Sequence, residues 1–280
     1  GEYVRASGDN EARALARRQF DTLDYRAHDP EHGGYREYFN RDWSIPPADS
    51  ISFMGTTPDL KLYNTHLHLL EAITTYHRLT YKPVVLDRLK ELLVINSNSV
   101  VRKSIGACTD RHRLDWLPLE GPEYDIASYG HDIENVWLLM EAGDAAGVPN
   151  DMLQDLYRTL YAYSLKYGFD NERGGFYYTG PFNEPAENRT KSWWVQSEAL
   201  VSALRMYEYT GEEVYLDTFR KTLEWVVEEQ VDWKNGDWHH LIDEKGAITG
   251  GKAGAWKSPY HNGRAVLECL KTIDDLLREK

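Results

Sequence analysis

Several large protein classes are excluded by what this sequence lacks. Its 280 residues contain only two cysteines, Cys108 and Cys269. They form no disulfide framework and no metal-ligand spacing, so a reducing, cytoplasmic setting is expected. No apolar run approaches the roughly eighteen residues of a membrane span. No basic-then-apolar leader opens the chain, and a membrane partner is not expected. Basic residues are outnumbered 32 to 45 by acidic ones, a formal net charge of −13. That balance argues against nucleic acid or an anionic bilayer as partner. Gly-x-Gly-x-x-Gly, P-loop, Gly-x-Ser-x-Gly and zinc-protease motifs are all missing. Neither a cofactor nor a metal is expected.

Aromatic residues are abundant instead, with 19 Tyr and 9 Trp. Rings in such numbers serve two purposes, stacking on pyranose faces or packing between helices, and composition leaves both open.

Helical spacing of apolar residues predicts eight helices: 10–26, 60–79, 82–97, 131–146, 149–166, 192–209, 213–230 and 260–277. Residues 100–108 and 113–119 read as extended strands on a loop excursion, and 236–242 as an aromatic strand. An Asp-x-x-x-Gly-Gly-aromatic turn occurs at Asp29–Tyr35 and again at Asp170–Phe176. The join Leu79-Thr-Tyr-Lys-Pro-Val-Val-Leu-Asp is echoed by Tyr209-Thr-Gly-Glu-Glu-Val-Tyr-Leu-Asp. Recurrent helix pairs with matched turns mark a repeat architecture. The expectation is an all-α single domain over 1–280, a ring of helical hairpins with long loops building a site.

Four stretches carry candidate chemistry. Asn64, His68 and Glu71 fall at i, i+4 and i+7, one polar stripe, while His66 points elsewhere and reads as a hydrogen-bonded structural histidine. His131 and Glu134 share a face at a helix start, which suits a proton-transfer group beside an orienting carboxylate but equally an ordinary ion pair. Trp194 and Glu198 are likewise i, i+4 at the start of a helix. Trp256, His261 and Arg264 are delivered by a loop running into the last helix, with Pro259 in its first turn. His239 and His240 face opposite ways on the presumed strand, so one is expected to line the site.

Together these segments resemble the N-acylglucosamine 2-epimerase superfamily, most closely its cellobiose 2-epimerase branch. The matching pieces are Asn64-Thr-His-Leu-His-Leu-Leu-Glu-Ala72, Ser128-Tyr-Gly-His-Asp-Ile-Glu134, Lys191-Ser-Trp-Trp-Val-Gln-Ser-Glu-Ala199 and Trp256-Lys-x-x-Tyr-His-Asn-Gly-Arg-Ala265. The resemblance implies an (α/α)6 barrel with short β-hairpins in its loops and epimerisation at C2 of a reducing-end sugar, without metal or nucleotide. It implies His131 and His261 as the acid–base pair around an enediolate, His68 beside the O1/O2 region, and Glu134 orienting His131 or assisting ring opening. Trp194, Trp256, Asn64, Glu198 and His239 are implied as substrate contacts. It further implies about four helices ahead of Gly1, with a substrate-facing Arg, because eight helices cannot close six hairpins. An exposed apolar edge would then favour a homodimer or weak activity.

A β-1,4-linked disaccharide such as cellobiose or lactose is the expected substrate. A mannose-type aldose–ketose isomerase or an N-acylglucosamine 2-epimerase would use nearly the same histidines. A glycoside hydrolase would need two carboxylates across the site, and a catalytically impaired sugar-binding module would need neither.

Overall fold

The computed structural model describes residues 1–278. Among them lie nine α-helices: α1 Glu2–Ser7, α2 Asn10–Arg26, α3 Tyr63–Thr80, α4 Pro83–Val94, α5 Tyr129–Ala146, α6 Gln154–Gly168, α7 Trp193–Thr210, α8 Glu213–Trp225 and α9 Tyr260–Arg278. Short strands punctuate them: β1 Leu60–Leu62, β2 Val101–Arg102, β3 Ala107–Cys108, β4 Arg111–Arg113, β5 Ile126–Ser128, β6 Thr179–Pro181, β7 Lys191–Ser192, β8 Leu241–Ile242 and β9 Ile248–Thr249. The all-α class expected from the sequence is found. Helix α1 is additional to the eight expected, and its 6 residues are too short to display a period. The start of the second expected helix is strand instead, since Leu60–Leu62 pairs antiparallel with Arg111–Arg113. The expected strand at 113–119 is mostly a turn. Trp116 adopts φ 66°, and its N–H donates to Arg113 O at 3.0 Å. No helix among the described residues is long and apolar enough to cross a membrane.

Contacts divide the chain into two compact units. The first comprises Gly1–Ser104, Cys108–Asp125 and Leu138–Leu156, and the second Ile105–Ala107, Ile126–Trp137 and Tyr157–Lys280. In the first, α3 and α4 form an antiparallel hairpin. Leu67, Leu70, Ile73 and Thr74 of α3 and Val85, Leu89 and Leu92 of α4 are buried at helical spacing. Each fully buried Leu there contributes roughly 1.5–3 kcal/mol. Asp9 caps α2 by accepting from the N–H groups of Glu11 and Ala12, and Pro83 opens α4.

In the second unit α7 packs against both α8 and α9. Every residue from Trp193 to Leu204 is buried, the signature of a helix surrounded by protein. Such a helix must satisfy its polar side chains internally, so Gln196, Ser197 and Glu198 all need partners.

Those partners follow a repeated plan. In the turn at Asp29–Tyr35, the fully buried Lys61 donates to Asp29 Oδ2 at 2.8 Å and to Gly33 O at 2.6 Å. His66, five residues after that lysine, accepts the Tyr35 N–H on Nε2 at 2.9 Å. In the turn at Asp170–Phe176, Lys191 donates to Asp170 Oδ2 at 2.8 Å and Gly174 O at 2.6 Å. Gln196, again five residues on, accepts the Phe176 N–H at 2.8 Å. Gly34 and Gly175 hold φ 74° and 78°, the left-handed region glycine enters without penalty. Burial pushes the carboxyls of Asp29 and Asp170 up, but the lysine and the turn's own N–H groups hold both below the usual range. A third copy, Asp232–Trp238, repeats the backbone bonds, with Asp232 N–H donating to Asp237 O at 2.9 Å and Gly236 N–H to Asp232 O at 2.8 Å.

Candidate active site

Helices α5, α7 and α9 bring their first turns together within the second unit. Gly130 permits it. A Cβ there would meet the Trp194 ring at 2.6 Å and Val195 Cγ2 at 2.7 Å, so only glycine lets α7 approach the start of α5. Trp194 lies against His131, with ring centroids 4.6 Å apart, and against His261 at 5.7 Å. One indole therefore touches both imidazoles expected to act as acid and base.

Beside His261 sits a buried ionic cluster. Glu198, wholly buried on α7, accepts from His261 Nδ1 at 2.6 Å and from Arg264 Nη2 at 2.7 Å, both on Oε1. Its Oε2 accepts from Trp137 Nε1 at 2.9 Å. The same Arg264 Nη2 donates to Glu134 Oε1 at 3.0 Å, and the guanidinium lies 4.9 Å from the Trp137 ring centre and 4.4 Å from that of Tyr260. Burial pushes the Glu198 carboxyl up, but the charge of Arg264 and the His261 contact outweigh it and hold it below the usual range. Glu198 is thus a carboxylate that fixes His261 with Nδ1–H toward itself and directs Nε2 to proton exchange.

His131 has a different partner. Its Nδ1 hydrogen-bonds Ser128 Oγ at 2.8 Å, the last residue of β5. Glu134, expected to orient His131 or assist ring opening, accepts from Arg264 of α9 within the same unit. A guanidinium supplied by α9 gives this buried carboxylate a charge-assisted partner.

Glu134, Glu198 and His261 offer ligand atoms within 4.8 Å of one another, a donor set that suits a divalent cation. The Arg264 guanidinium, bonded to both carboxylates, already supplies positive charge there.

The remaining candidates are placed as follows. Trp256 is 58% exposed on the loop before α9. Trp194 is 8% exposed and serves as a wall for the histidines. His239 is half-buried, its backbone bonded to Gln230, whereas the His240 ring packs edge-on against Trp193 at 4.6 Å. Asn64 and His68 belong to the first unit. The Asn64 N–H donates to Asp110 Oδ1 at 3.3 Å, and His68 Nδ1 lies 3.5 Å from Glu71 Oε2. His66 is wholly buried, with Nδ1 2.7 Å from Leu62 O. Burial drives its pKa down to about 3, so it is a neutral structural group.

Ser128, beside His131, and Trp137, in the cluster, are residues that the sequence does not single out, and Arg264, singled out with Trp256 and His261, receives no role from it. A sequence signal exists for Arg264. Counted from Lys191 and Lys257, Glu198 and Arg264 occupy the same seventh position after the lysine, where the repeat points a polar group into the site.

Comparison with known proteins now decides the family. The sequence pattern of the N-acylglucosamine 2-epimerase family matches residues 3–265. The chain belongs to this family. A cellobiose 2-epimerase of Ruminococcus albus is 32% identical over 96% of the chain and 67% of its own length. A solved cellobiose 2-epimerase from Spirochaeta thermophila superposes with TM-score 0.85 at 34% identity, covering 98% of this chain and 68% of that one. A D-mannose isomerase of Pseudomonas cannabina is 27% identical over 84% of the chain and 57% of its own length. The chain therefore spans about two thirds of the length of its cellobiose 2-epimerase relatives. Its fold is of the (α/α)-barrel type.

Proposed function

We propose that this protein is a carbohydrate 2-epimerase that inverts C2 of the reducing-end residue of a β-1,4-linked disaccharide. The observation that carries the proposal is the pair of imidazoles that both pack against Trp194, each anchored through Nδ1. That arrangement suits removal and return of one carbon-bound proton. In the opened aldose, C2–H lies α to the C1 carbonyl. One histidine removes the proton, the electron pair delocalises into the carbonyl as an enediolate, and the other histidine returns a proton to the opposite face. Glu198 stabilises the imidazolium that forms on His261. Arg264 and Trp137 hold that carboxylate in place. Trp256, exposed on its loop, provides a face on which a pyranose ring can stack.

The two named classes of relative suggest the substrate range. Family membership supports C2 chemistry, and similarity to cellobiose 2-epimerases favours a disaccharide. Similarity to a D-mannose isomerase keeps an aldose–ketose outcome as the second reading, since it diverges only at the position where the proton is returned. Hydrolysis is disfavoured by geometry. Glu134 and Glu198 are both buried and share one guanidinium, whereas a hydrolase needs two carboxyls presented on opposite sides of a glycosidic bond.

The test is incubation with cellobiose, lactose, mannose and N-acetylmannosamine in heavy water. Deuterium at C2 of the epimerised disaccharide is expected, and a ketose product from mannose would favour the second reading. Absence of deuterium at C2 with all four sugars overturns the proton-transfer mechanism.

A further inference from the structure

The third Asp-x-x-x-Gly turn departs from the first two at one position. Where they have Gly34 and Gly175, it has Asp237, held at φ 58°. Asp enters the left-handed region more readily than most residues, and its side chain then bonds locally. Here the surroundings are specific. Lys257, counted from the repeat, stands where Lys61 and Lys191 stand, and it is 1% exposed. It does not bind Asp232, because Lys252 donates to Asp232 Oδ2 and Gly236 O in its place. Instead Lys257 donates to Asp237 Oδ2 at 2.8 Å. Asn262, at the position of His66 and Gln196, donates to Asp237 Oδ1 at 2.8 Å. The Trp238 N–H gives the carboxylate a third bond, the second on Oδ1, at 2.7 Å.

The consequence concerns α9. In the first two copies the lysine and the residue five beyond it grip the backbone of a Gly-Gly turn. In the third they grip a carboxylate, and Asn262 is the immediate neighbour of His261. We propose that Asp237 is a positioning residue for His261, clamping the first turn of α9 through Asn262 and Lys257 so that His261 Nδ1 meets Glu198. The inference rests on the acid–base role given to His261 above. Asp is one of the few residues other than glycine that enter the left-handed region, its short side chain bonding locally, here to the Trp238 N–H. Asp237 touches no reacting atom in this scheme and acts only through the helix start.

The experiment uses Asp237→Asn and Asn262→Ala in the full chain. Asp237→Asn keeps one oxygen acceptor and removes the charge facing Lys257, whereas Asn262→Ala cuts only the link to α9 and leaves Lys257 paired. Three quantities are read: kcat and KM on cellobiose, the pH profile of kcat, and the His261 tautomer from histidine-selective ¹⁵N NMR. Both variants are expected to lose at least tenfold in kcat with KM within threefold, to shift the acid limb of the pH profile, and to lower the Nδ1–H share of His261 at least twofold. A merely structural role would lower the melting temperature and leave the tautomer and the pH profile unchanged. A folded Asn262→Ala protein with kcat within twofold of the parent and an unchanged His261 tautomer overturns the proposal. Should the parent itself place no deuterium at C2, the functional proposal falls. The tautomer comparison, which needs no turnover, then decides the positioning role alone.

Discussion

Replacing Glu198 by Gln tests the centre of the cluster. Three donors converge on this carboxylate: His261 Nδ1 and Arg264 Nη2 on Oε1, and Trp137 Nε1 on Oε2. An amide has one accepting oxygen and one NH₂. If the oxygen faces His261 and Arg264, the NH₂ meets the Trp137 N–H head-on and one buried donor stays unsatisfied, costing about 1–3 kcal/mol. If the oxygen faces Trp137, the NH₂ meets Arg264 and His261. The imidazole must then accept on Nδ1, which moves its proton to Nε2 and removes the base. Either orientation removes the negative charge that Arg264 pairs with, and the second also removes its hydrogen bond, worth roughly 1.5–3 kcal/mol. The expected stability loss is about 3–5 kcal/mol, in line with breaking a buried ion pair. Turnover is expected to fall by about 10³–10⁴, because a histidine held in the wrong tautomer by an amide loses activity on that scale. Deuterium incorporation at C2 and urea melts at one pH measure the two effects. A folded Glu198→Gln protein within tenfold of parental kcat would refute the tautomer argument.

Ser128→Ala removes the partner of His131 Nδ1 while leaving the Glu198 cluster intact, so kcat should drop about tenfold to a hundredfold with the melting curve little changed; an unchanged kcat would deny Ser128 its role. Lys191→Met leaves the buried Asp170 carboxylate and Gly174 O without their donor, and urea melts should show about 3–5 kcal/mol lost. In the first unit two buried groups set opposite pH limits. Burial raises the Glu37 carboxyl to about 7, so the folded state holds its proton more tightly than the unfolded chain, and stability falls by roughly 3 kcal/mol as pH rises from 4.5 through 7. Burial lowers His66 to about 3, so its penalty grows as pH falls below 6.5. Glu37→Gln should therefore flatten the alkaline side of the stability profile and leave the acid side alone, checked by urea melts at pH 5 and pH 8.

The helices were legible because their apolar period is regular. Leu67, Leu70, Ile73 and Thr74 announce α3, and the two Asp-x-x-x-Gly-Gly turns announce the repeat. The third turn hid behind Asp237, since a pattern search that demands two glycines cannot see a carboxylate doing the same job by another route. Within the site, the i, i+4 pairing of Trp194 with Glu198 was visible, and so was His261. The partner choices were not. Register along one helix put Glu134 beside His131, but Arg264 lies 130 residues from Glu134, and only the packing of separate helices decides which cation a buried carboxylate meets. Ser128 and Trp137 were passed over for a related reason: neither residue type signals chemistry until its partner is known.

The repeat explains how structure and chemistry share the same few positions. Counted from Lys61, Lys191 and Lys257, the fifth residue is His66, Gln196 or Asn262, and in all three copies it ties the helix start to its turn. The seventh is His68, Glu198 or Arg264, and in the two copies of the second unit it enters the cluster around His261. The fifth and seventh positions diverge on a helix, so one side chain can hold the backbone while its neighbour but one addresses a ligand. The fourth position is Thr65, Val195 or His261, so only the third copy carries a titratable group there. A histidine placed there inherits an anchor one residue away, and the rigidity of that anchor limits how accurately the imidazole meets its carboxylate. In α9 the anchor passes through a carboxylate where the other copies use peptide groups. The third turn thereby acquires a charge whose loss should be felt at His261 before it is felt in the fold.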